Sequence, residues 1–128
     1  MKPSVLALGL DPACVDAAEL GGFAPHVVRA FIEAELDRLR DLGYDVECCL
    51  VDLGPAAEAA IAARLDVRAF DCVMIGAGLR APRHVLQFER VLNLVHAKAP
   101  AAKICFNTSP ADSAETVQRW VPAKNTLE

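Results

Sequence analysis

The strongest chemical signal in the chain is an apolar run that ends in two glycines and is followed at once by basic side chains. A strand, a tight loop and a helix start in this order are typical of α/β proteins that bind small anions, because helix amides and cationic side chains favour a carboxylate or a phosphate. The residues that carry the pattern are Gly76, Gly78, Arg80, Arg83 and His84. We therefore predict that they bind a small anionic ligand, with Arg80 or Arg83 supplying the charge.

Polar side chains lie at the points where three other apolar segments are expected to end as strands. Asp11 follows the first segment, Asp52 ends the second and Asn107 ends the fourth. The carboxyl ends of parallel strands share one edge of a sheet, so we predict these side chains at the same ligand site. If the site is catalytic, Asp11 or His84 is the candidate general acid or base. The alternative is that these residues only form turns and cap helices.

Residues 76–81 also fit the pattern G-x-G-x-x-G/A, with Ala81 in the last position. The pattern resembles the fingerprint of dinucleotide-binding enzymes. Pro82 delays the helix start, and Asn107 stands where the fingerprint has the acid that holds a ribose. We therefore predict no cofactor, and the alternative role of the two glycines is backbone freedom in a tight turn.

The five cysteines, at positions 14, 48, 49, 72 and 105, show no C-x-x-C pair and no metal-ligand spacing. Four of them lie in apolar, strand-like runs, where a free thiol acts as a small hydrophobic side chain. We predict a reduced chain without disulfides and without a metal site. Cys14 lies outside these runs, and a nucleophilic pair with His26 or His84 is a further hypothesis.

Apolar periodicity predicts four strands that alternate with four helices. The predicted strands are 4–10, 45–53, 72–75 and 103–107, and the predicted helices are 26–42, 55–65, 82–99 and a short one that ends before Pro122. Right-handed crossovers favour a parallel sheet in the order 2-1-3-4. The predicted fold is therefore a three-layer α/β/α sandwich of the Rossmann-like or flavodoxin-like type.

Local signals predict the connections between these elements. Residues 11–25 are longer than the usual connection in an α/β unit and form a candidate lid over the site. Gly43 is expected to cap the first long helix at its C-terminus. Ser109 or Asp112 caps the last helix, and Asp112 and Glu115 have the spacing of a capping box.

Helical periodicity also predicts which side chains are buried. Val85 falls in the apolar stripe of helix 82–99, and Trp120 falls in that of the last helix. Leu86 and Leu94 point away from the stripe of helix 82–99. We therefore predict a homodimer that uses the exposed side of this helix.

The composition indicates a single globular domain. The chain has 128 residues, of which 54% are hydrophobic and 5% aromatic, so its core is built from small aliphatic side chains. The formal net charge of −4 argues against nucleic acid as a partner. There is neither an apolar run of about 18 residues nor a signal-peptide pattern, so we expect a cytoplasmic protein without membrane contact. Leu127 and Glu128 resemble a cloning remnant, which leaves 1–126 as the domain.

The segment from 71 to 110 resembles the middle of SGNH-type esterases and lipases. Gly76 matches the glycine of that family's oxyanion block, and the resemblance implies an α/β fold that hydrolyses esters. Gly78 stands where the family has asparagine, the family's serine after the first strand is missing, and no histidine follows His96. The family's nucleophile and base therefore have no counterpart in this chain.

The alternation of strands and helices also resembles that of response-regulator receivers. Asp11 matches their metal-binding acid and Thr108 their switch threonine, but Gly76 replaces the aspartate that accepts the phosphate. As a whole, the chain is similar to small bacterial α/β proteins of flavodoxin-like or SGNH-hydrolase-like topology. That resemblance implies the fold and no particular activity.

Three functional hypotheses follow. The first is binding of a small anionic molecule at the rim formed by Asp11, Asp52, residues 76–84 and Asn107. The second is an atypical SGNH-like hydrolase, and the third is a scaffold that acts only through dimer contacts. An enzyme needs a base within reach of a nucleophile or a water, whereas a binding protein needs only donors and a cavity.

Overall fold

Four parallel strands form the centre of the fold in the computed structural model, which describes residues 1–123. These strands are β1 (Ser4–Leu10), β2 (Asp45–Val51), β3 (Cys72–Ile75) and β4 (Lys103–Phe106). Their order in the sheet is β2-β1-β3-β4, which confirms the predicted order. The predicted remnant at Leu127 and Glu128 lies outside the described residues.

Helices cover both faces of the sheet. They are α1 (Pro25–Asp41), α2 (Ala56–Val67), α3 (Val85–Lys98) and α4 (Ser113–Trp120). Helices α1 and α4 pack together over one face, and α2 and α3 over the other, so the predicted α/β sandwich is confirmed. Every helix within residues 1–123 is too short or too polar to span a bilayer.

The sheet separates two cores, because successive side chains of a strand point to opposite faces. Val5 and Ala7 of β1 belong to the core beneath α1 and α4. Leu6 and Leu8 belong to the core beneath α2 and α3. All four are at most 5% exposed, which explains why β1 is apolar without alternation.

Strand β2 lies at one edge of the sheet, as its acidic residues predict. Arg64 and Arg68 form ion pairs with Glu47, and Arg68 also pairs with Asp45. These charged side chains lie along the edge and discourage pairing with a strand of another molecule.

Helix α1 ends at the glycine predicted to cap it. Gly43 has φ 105°, a left-handed conformation that favours glycine. The N–H of Gly43 donates to the carbonyl of Arg40 at 3.0 Å, and that of Tyr44 donates to Leu39 at 3.2 Å. The turn directs Tyr44 into the core, where its hydroxyl donates to the carbonyl of Val121 at 2.6 Å.

Three predicted side-chain orientations are wrong. Val85 is 54% exposed, and Leu94 is partly buried against the core beneath α2 and α3. Residues 82–84 form a 3₁₀ turn, so α3 begins only at Val85, and its buried positions are Gln87, Val91 and Val95. Val85 lies about 160° around the helix from Gln87, outside this buried face. Trp120 is 52% exposed because it ends α4 beside the edge strand β4.

The connection between β1 and α1, residues 11–24, is called the lid below. It contains two 3₁₀ helices, Pro12–Cys14 and Ala17–Leu20, and it packs against α1. Gly21 and Gly22 follow with φ values of 67° and 83°, which allows the sharp turn into α1. The long connection predicted after the first strand is therefore an ordered segment of short helices.

The connection from β4 to α4 is stabilised by a capping box of Ser109 and Asp112. The Asp112 carboxylate accepts from the N–H of Thr108 at 3.0 Å, the N–H of Ser109 at 3.3 Å and the hydroxyl of Thr108 at 2.6 Å. The predicted partner of Asp112, Glu115, instead pairs with Arg38 of α1 at 3.0 Å. The box therefore lies one turn earlier than the Asp112–Glu115 spacing suggested.

We predict that Asp112→Asn lowers the free energy of unfolding at neutral pH by about 1 kcal/mol, because an amide has one acceptor oxygen where the carboxylate uses both to accept from Thr108 and Ser109. Burial raises the pKa of Asp112, but the hydrogen bonds from Thr108 and Ser109 outweigh it and lower the pKa below its usual value. A lowered folded-state pKa stabilises the fold above the unfolded pKa of about 4, and this contribution is lost as the pH falls through the folded pKa.

Urea denaturation at neutral pH and between about pH 2 and pH 5 measures this effect. The variant is expected to lose less stability on acidification than the original chain. Asp16→Asn is the control, because Asp16 precedes the lid's second 3₁₀ helix without a side-chain capping bond. Equal losses in the two variants would show that the cap does not act as described.

Candidate functional site

A cavity of about 380 Å³ lies between the carboxyl half of the sheet, the first turns of α1 and the lid. We call it the rim pocket. Its lining consists of Ala7, Leu8, Gly9, Leu10, Cys48, Leu50 and Met74 from the sheet, Val28, Phe31, Ile32 and Leu36 from α1, Pro12, Val15, Glu19, Leu20 and Phe23 from the lid, and Gly76, Ala77, Gly78, Asn107, Pro110 and Ser113 from the loops after β3 and β4.

The walls of the rim pocket are mainly apolar. Small residues such as Ala7 and Gly9 of β1 leave space above the sheet, and aliphatic and aromatic side chains of α1 and the lid enclose it. Three lining side chains carry an oxygen-containing polar group: the carboxylate of Glu19, the amide of Asn107 and the hydroxyl of Ser113. A volume of this size falls within the range of small-molecule sites.

The ends of β1, β2 and β3 converge beside this pocket, as the predicted strand order requires. The N–H of Gly76 donates to the carbonyl of Leu8 at 2.8 Å, and the N–H of Asp11 donates to that of Val51 at 2.7 Å. A Cβ added to Gly78 would lie 3.3 Å from Cβ of Leu10. The loop after β3 therefore packs directly on the end of β1.

The glycines of this loop serve close packing and not unusual backbone angles. Gly76 has φ −69°, which any residue adopts, and the positive-φ glycines in the described residues lie elsewhere. A Cβ at position 76 would lie 3.0 Å from the backbone oxygen of Leu8 and 3.7 Å from Cα of Gly9. Backbone freedom, the predicted alternative role, is therefore wrong for Gly76.

The Arg80 side chain makes its contacts within the protein. Its guanidinium donates to the carbonyl of Ile75 at 3.0 Å and also to the carbonyl of Asn107. It lies 4.9 Å from the centre of the Phe106 ring, in a cation–π contact. Burial lowers the pKa of this guanidinium. Arg80 thus connects the ends of β3 and β4.

Arg83 and His84 both face the lid. Arg83 pairs with the Glu19 carboxylate at 3.1 Å, and Nε2 of His84 lies 3.8 Å from the same oxygen. The Nε2 atom of His84 is buried and has no hydrogen-bond partner. The structure therefore brings these two predicted site residues together on Glu19.

Asp11 and Asp52 end neighbouring strands but have different partners. The Asp11 carboxylate accepts from the N–H of Ala13 at 3.0 Å and forms an ion pair with Arg29 of α1. The Asp52 side chain is exposed, and its backbone carbonyl accepts from Gln87 at 3.1 Å. Asp11 therefore fastens the start of the lid to α1, whereas Asp52 contributes through its backbone.

Asn107 is the predicted site residue that lines the pocket with a buried polar side chain, since it is 5% exposed. Its amide oxygen accepts from the N–H of Ala77 at 3.0 Å, and its amide nitrogen donates to Oγ of Ser113 at 3.2 Å. Asn107 thus fixes the loop after β3 to the start of α4 at the polar end of the rim pocket.

The thiols near the pocket are poor nucleophiles. Burial, with a smaller contribution from the Glu33 carboxylate, raises the pKa of Cys48 to about 11. Partial desolvation and the carboxylates of Asp11 and Asp52 raise the pKa of Cys14. Both thiols are protonated at neutral pH, and the thiolate is the reactive form. Within residues 1–123, no three His, Cys, Asp or Glu side chains cluster closely enough to hold a metal ion.

A comparison of the chain with models of known protein families and with curated protein sequences finds no match.

The sequence predicted a lid after the first strand but not the side chains through which the lid and α1 contact the rim. Glu19 and Arg29 were not among the predicted residues, although each pairs with one that was. A signal for the pocket was present in α1, because its apolar stripe continues through Val28 and Phe31 toward the N-terminus, where the sheet no longer fills the space beneath it. Periodicity locates such a stripe but does not distinguish a packed core from a cavity.

We predict that Gly76→Ala lowers the free energy of unfolding by about 1–3 kcal/mol, because the added methyl group would lie 3.0 Å from a backbone oxygen of the sheet, which would have to shift. Gly54→Ala is the matched control, since its Cβ would lie 3.6 Å from Asp52 Oδ1, an ordinary contact. Urea denaturation of both variants measures the difference. Equal midpoints would argue against the close packing described for the loop.

We predict that Arg80→Ala lowers the free energy of unfolding by about 2–3 kcal/mol, because hydrogen bonds from a charged donor to two strand-end carbonyls are lost. Arg90→Ala is the control, because Arg90 forms an exposed pair with Glu58 whose loss costs about 1 kcal/mol or less. If Arg80→Ala is as stable as the original chain, the guanidinium is free to serve a ligand instead.

Proposed function

We propose that this protein binds a small molecule with a mainly apolar body in the rim pocket. The observation that carries the proposal is the cavity of about 380 Å³ with apolar walls from the sheet, α1 and the lid. Removing apolar surface from water stabilises such a complex by roughly 25 cal/mol for each Å² that is buried. A ligand-sized cavity at the carboxyl edge of a parallel sheet is also where α/β proteins commonly bind small molecules.

The polar end of the pocket sets the orientation of the ligand. Asn107 and Ser113 lie together there, next to the loop after β3. A hydroxyl or carbonyl group of the ligand at this end would be within reach of an amide and a hydroxyl, whereas a polar group among the apolar walls would lose its hydrogen bonds to water. We therefore propose a ligand with one short polar end.

A neutral ligand fits the charges of the site better than an anion. The cations at the rim already have partners: Arg29 pairs with Asp11, Arg83 pairs with Glu19, and Arg80 donates to backbone carbonyls. An anion would have to compete with these partners. Anion binding therefore stays a prediction that the following experiment separates from the proposal.

The other two functional hypotheses also stay predictions. The candidate acid and base of a hydrolase are Asp11, which is held by Arg29, and His84, which faces Glu19. The apolar surface expected of a dimeric scaffold includes Val85 and Leu86, which are 54% and 68% exposed. The cavity supports ligand binding more directly than these contacts support a hydrolase or a scaffold.

Fluorescence titration with two related probes tests the proposal. Phenylnaphthylamine is neutral, and anilinonaphthalene sulfonate is anionic. We expect the neutral probe to bind, and Val28→Trp to weaken its binding at least about ten-fold, because the indole fills space that the probe needs. Val67→Trp is the matched control, since Val67 is 77% exposed at the end of α2, away from the pocket.

Each result has a definite meaning. If only the sulfonate binds, and if binding is lost when Arg83 is replaced by alanine, the site is an anion site and the proposal is wrong. Equal weakening by Val28→Trp and Val67→Trp would place the probe outside the rim pocket, which also contradicts the proposal.

A further inference from the structure

We infer that Glu19 is a latch that holds the lid over the rim pocket, so that release of this carboxylate controls access to the pocket. Control of access to the pocket rests on the proposed function, whereas the hold on the lid rests on the contacts of the chain alone.

The lid has few backbone bonds to the rest of the molecule. Between residues 14 and 23 its backbone hydrogen bonds run to other lid residues, as in the bonds from Gly21 to Ala18 at 3.3 Å and from Gly22 to Ala17 at 3.0 Å. Short local bonds of this kind allow a segment to move as a unit without disrupting the sheet. The centre of the lid is therefore held by side chains.

Glu19 provides the polar contact between the centre of the lid and the opposite side of the rim. Its carboxylate pairs with Arg83 at 3.1 Å and lies 3.8 Å from Nε2 of His84. The Glu19 side chain is 23% exposed, and Nε2 of His84 is buried without a partner. A movement of less than about 1 Å would bring the Glu19 carboxylate within hydrogen-bond distance of Nε2 of His84.

The two ends of the lid suit an opening movement. Asp11 is fixed at one end by its ion pair with Arg29 and by its bond to the N–H of Ala13. Gly21 and Gly22 form the other end, and a Cβ at position 22 would have no atom within 4 Å. The segment between them carries Val15, Glu19 and Leu20 over the pocket. Opening would expose Val15 and Leu20 to water, so their apolar contacts and the Glu19 ion pair both hold the lid closed.

Hydrogen exchange of the ligand-free full chain, followed by mass spectrometry, tests the latch. We expect Glu19→Gln to raise the exchange rate of the lid amides about two- to five-fold, the range for loss of a partly exposed ion pair. Glu58→Gln is the matched control, because Glu58 pairs with Arg90 across α2 and α3 and its side chain is similarly exposed, at 32%. We expect no change in the lid of this variant.

Swapping the charges of residues 19 and 83 distinguishes loss of the latch from a general loss of stability. Glu19→Arg brings two cations together and is expected to raise lid exchange at least about ten-fold, because like charges repel at this distance. Combining it with Arg83→Glu restores an ion pair and should return lid exchange to within about two-fold of the original rate.

The inference is overturned if Glu19→Gln leaves hydrogen exchange of the lid unchanged. It is also overturned if the variant that combines Glu19→Arg with Arg83→Glu does not restore the original exchange rate. Because no ligand is present, this outcome differs from failure of the probe titration. A lid that responds as expected in a chain that binds no probe would support the latch and refute the proposed function.

Discussion

The close packing of the loop after β3 on the end of β1 is the constraint on which the site depends. The N–H of Gly76 donates to the carbonyl of Leu8, and a Cβ at position 76 would lie only 3.0 Å from that oxygen. This contact brings the end of β3 to the level of the lid. The same loop receives Asn107 from β4, so that three strand ends form one rim. Without the contact, the polar end of the rim pocket would not be assembled.

Charged residues of the rim that resemble ligand-binding groups make contacts within the fold. Arg80 satisfies carbonyls at the ends of β3 and β4, and Asp11 holds the lid to α1 through Arg29. Buried backbone carbonyls need donors, and the end of a sheet leaves several without partners from a neighbouring strand. An arginine near strand ends therefore has a structural use that is independent of any ligand.

The fold could be predicted from the sequence, whereas the site could be predicted only in part. The strands could be predicted from continuous apolar runs, and the cap of α1 from Gly43, because both features depend on local patterns. Val85 was misplaced because the buried face of α3 is centred on Gln87, Val91 and Val95, and hydrophobic periodicity does not predict that a glutamine is buried. Glu19 was missed because its role depends on the path of the lid over the sheet. Such a path is set by tertiary packing that spacing along the chain does not encode.

The central claim is that the space beneath the lid receives the apolar body of a small molecule. Intermolecular nuclear Overhauser effects between the neutral probe and methyl groups of the protein test it most directly. The account predicts contacts to Val28, Ile32 and Leu36, whose side chains line the rim pocket. Contacts to Val85 and Leu86, which lie on the exposed start of α3, would contradict it.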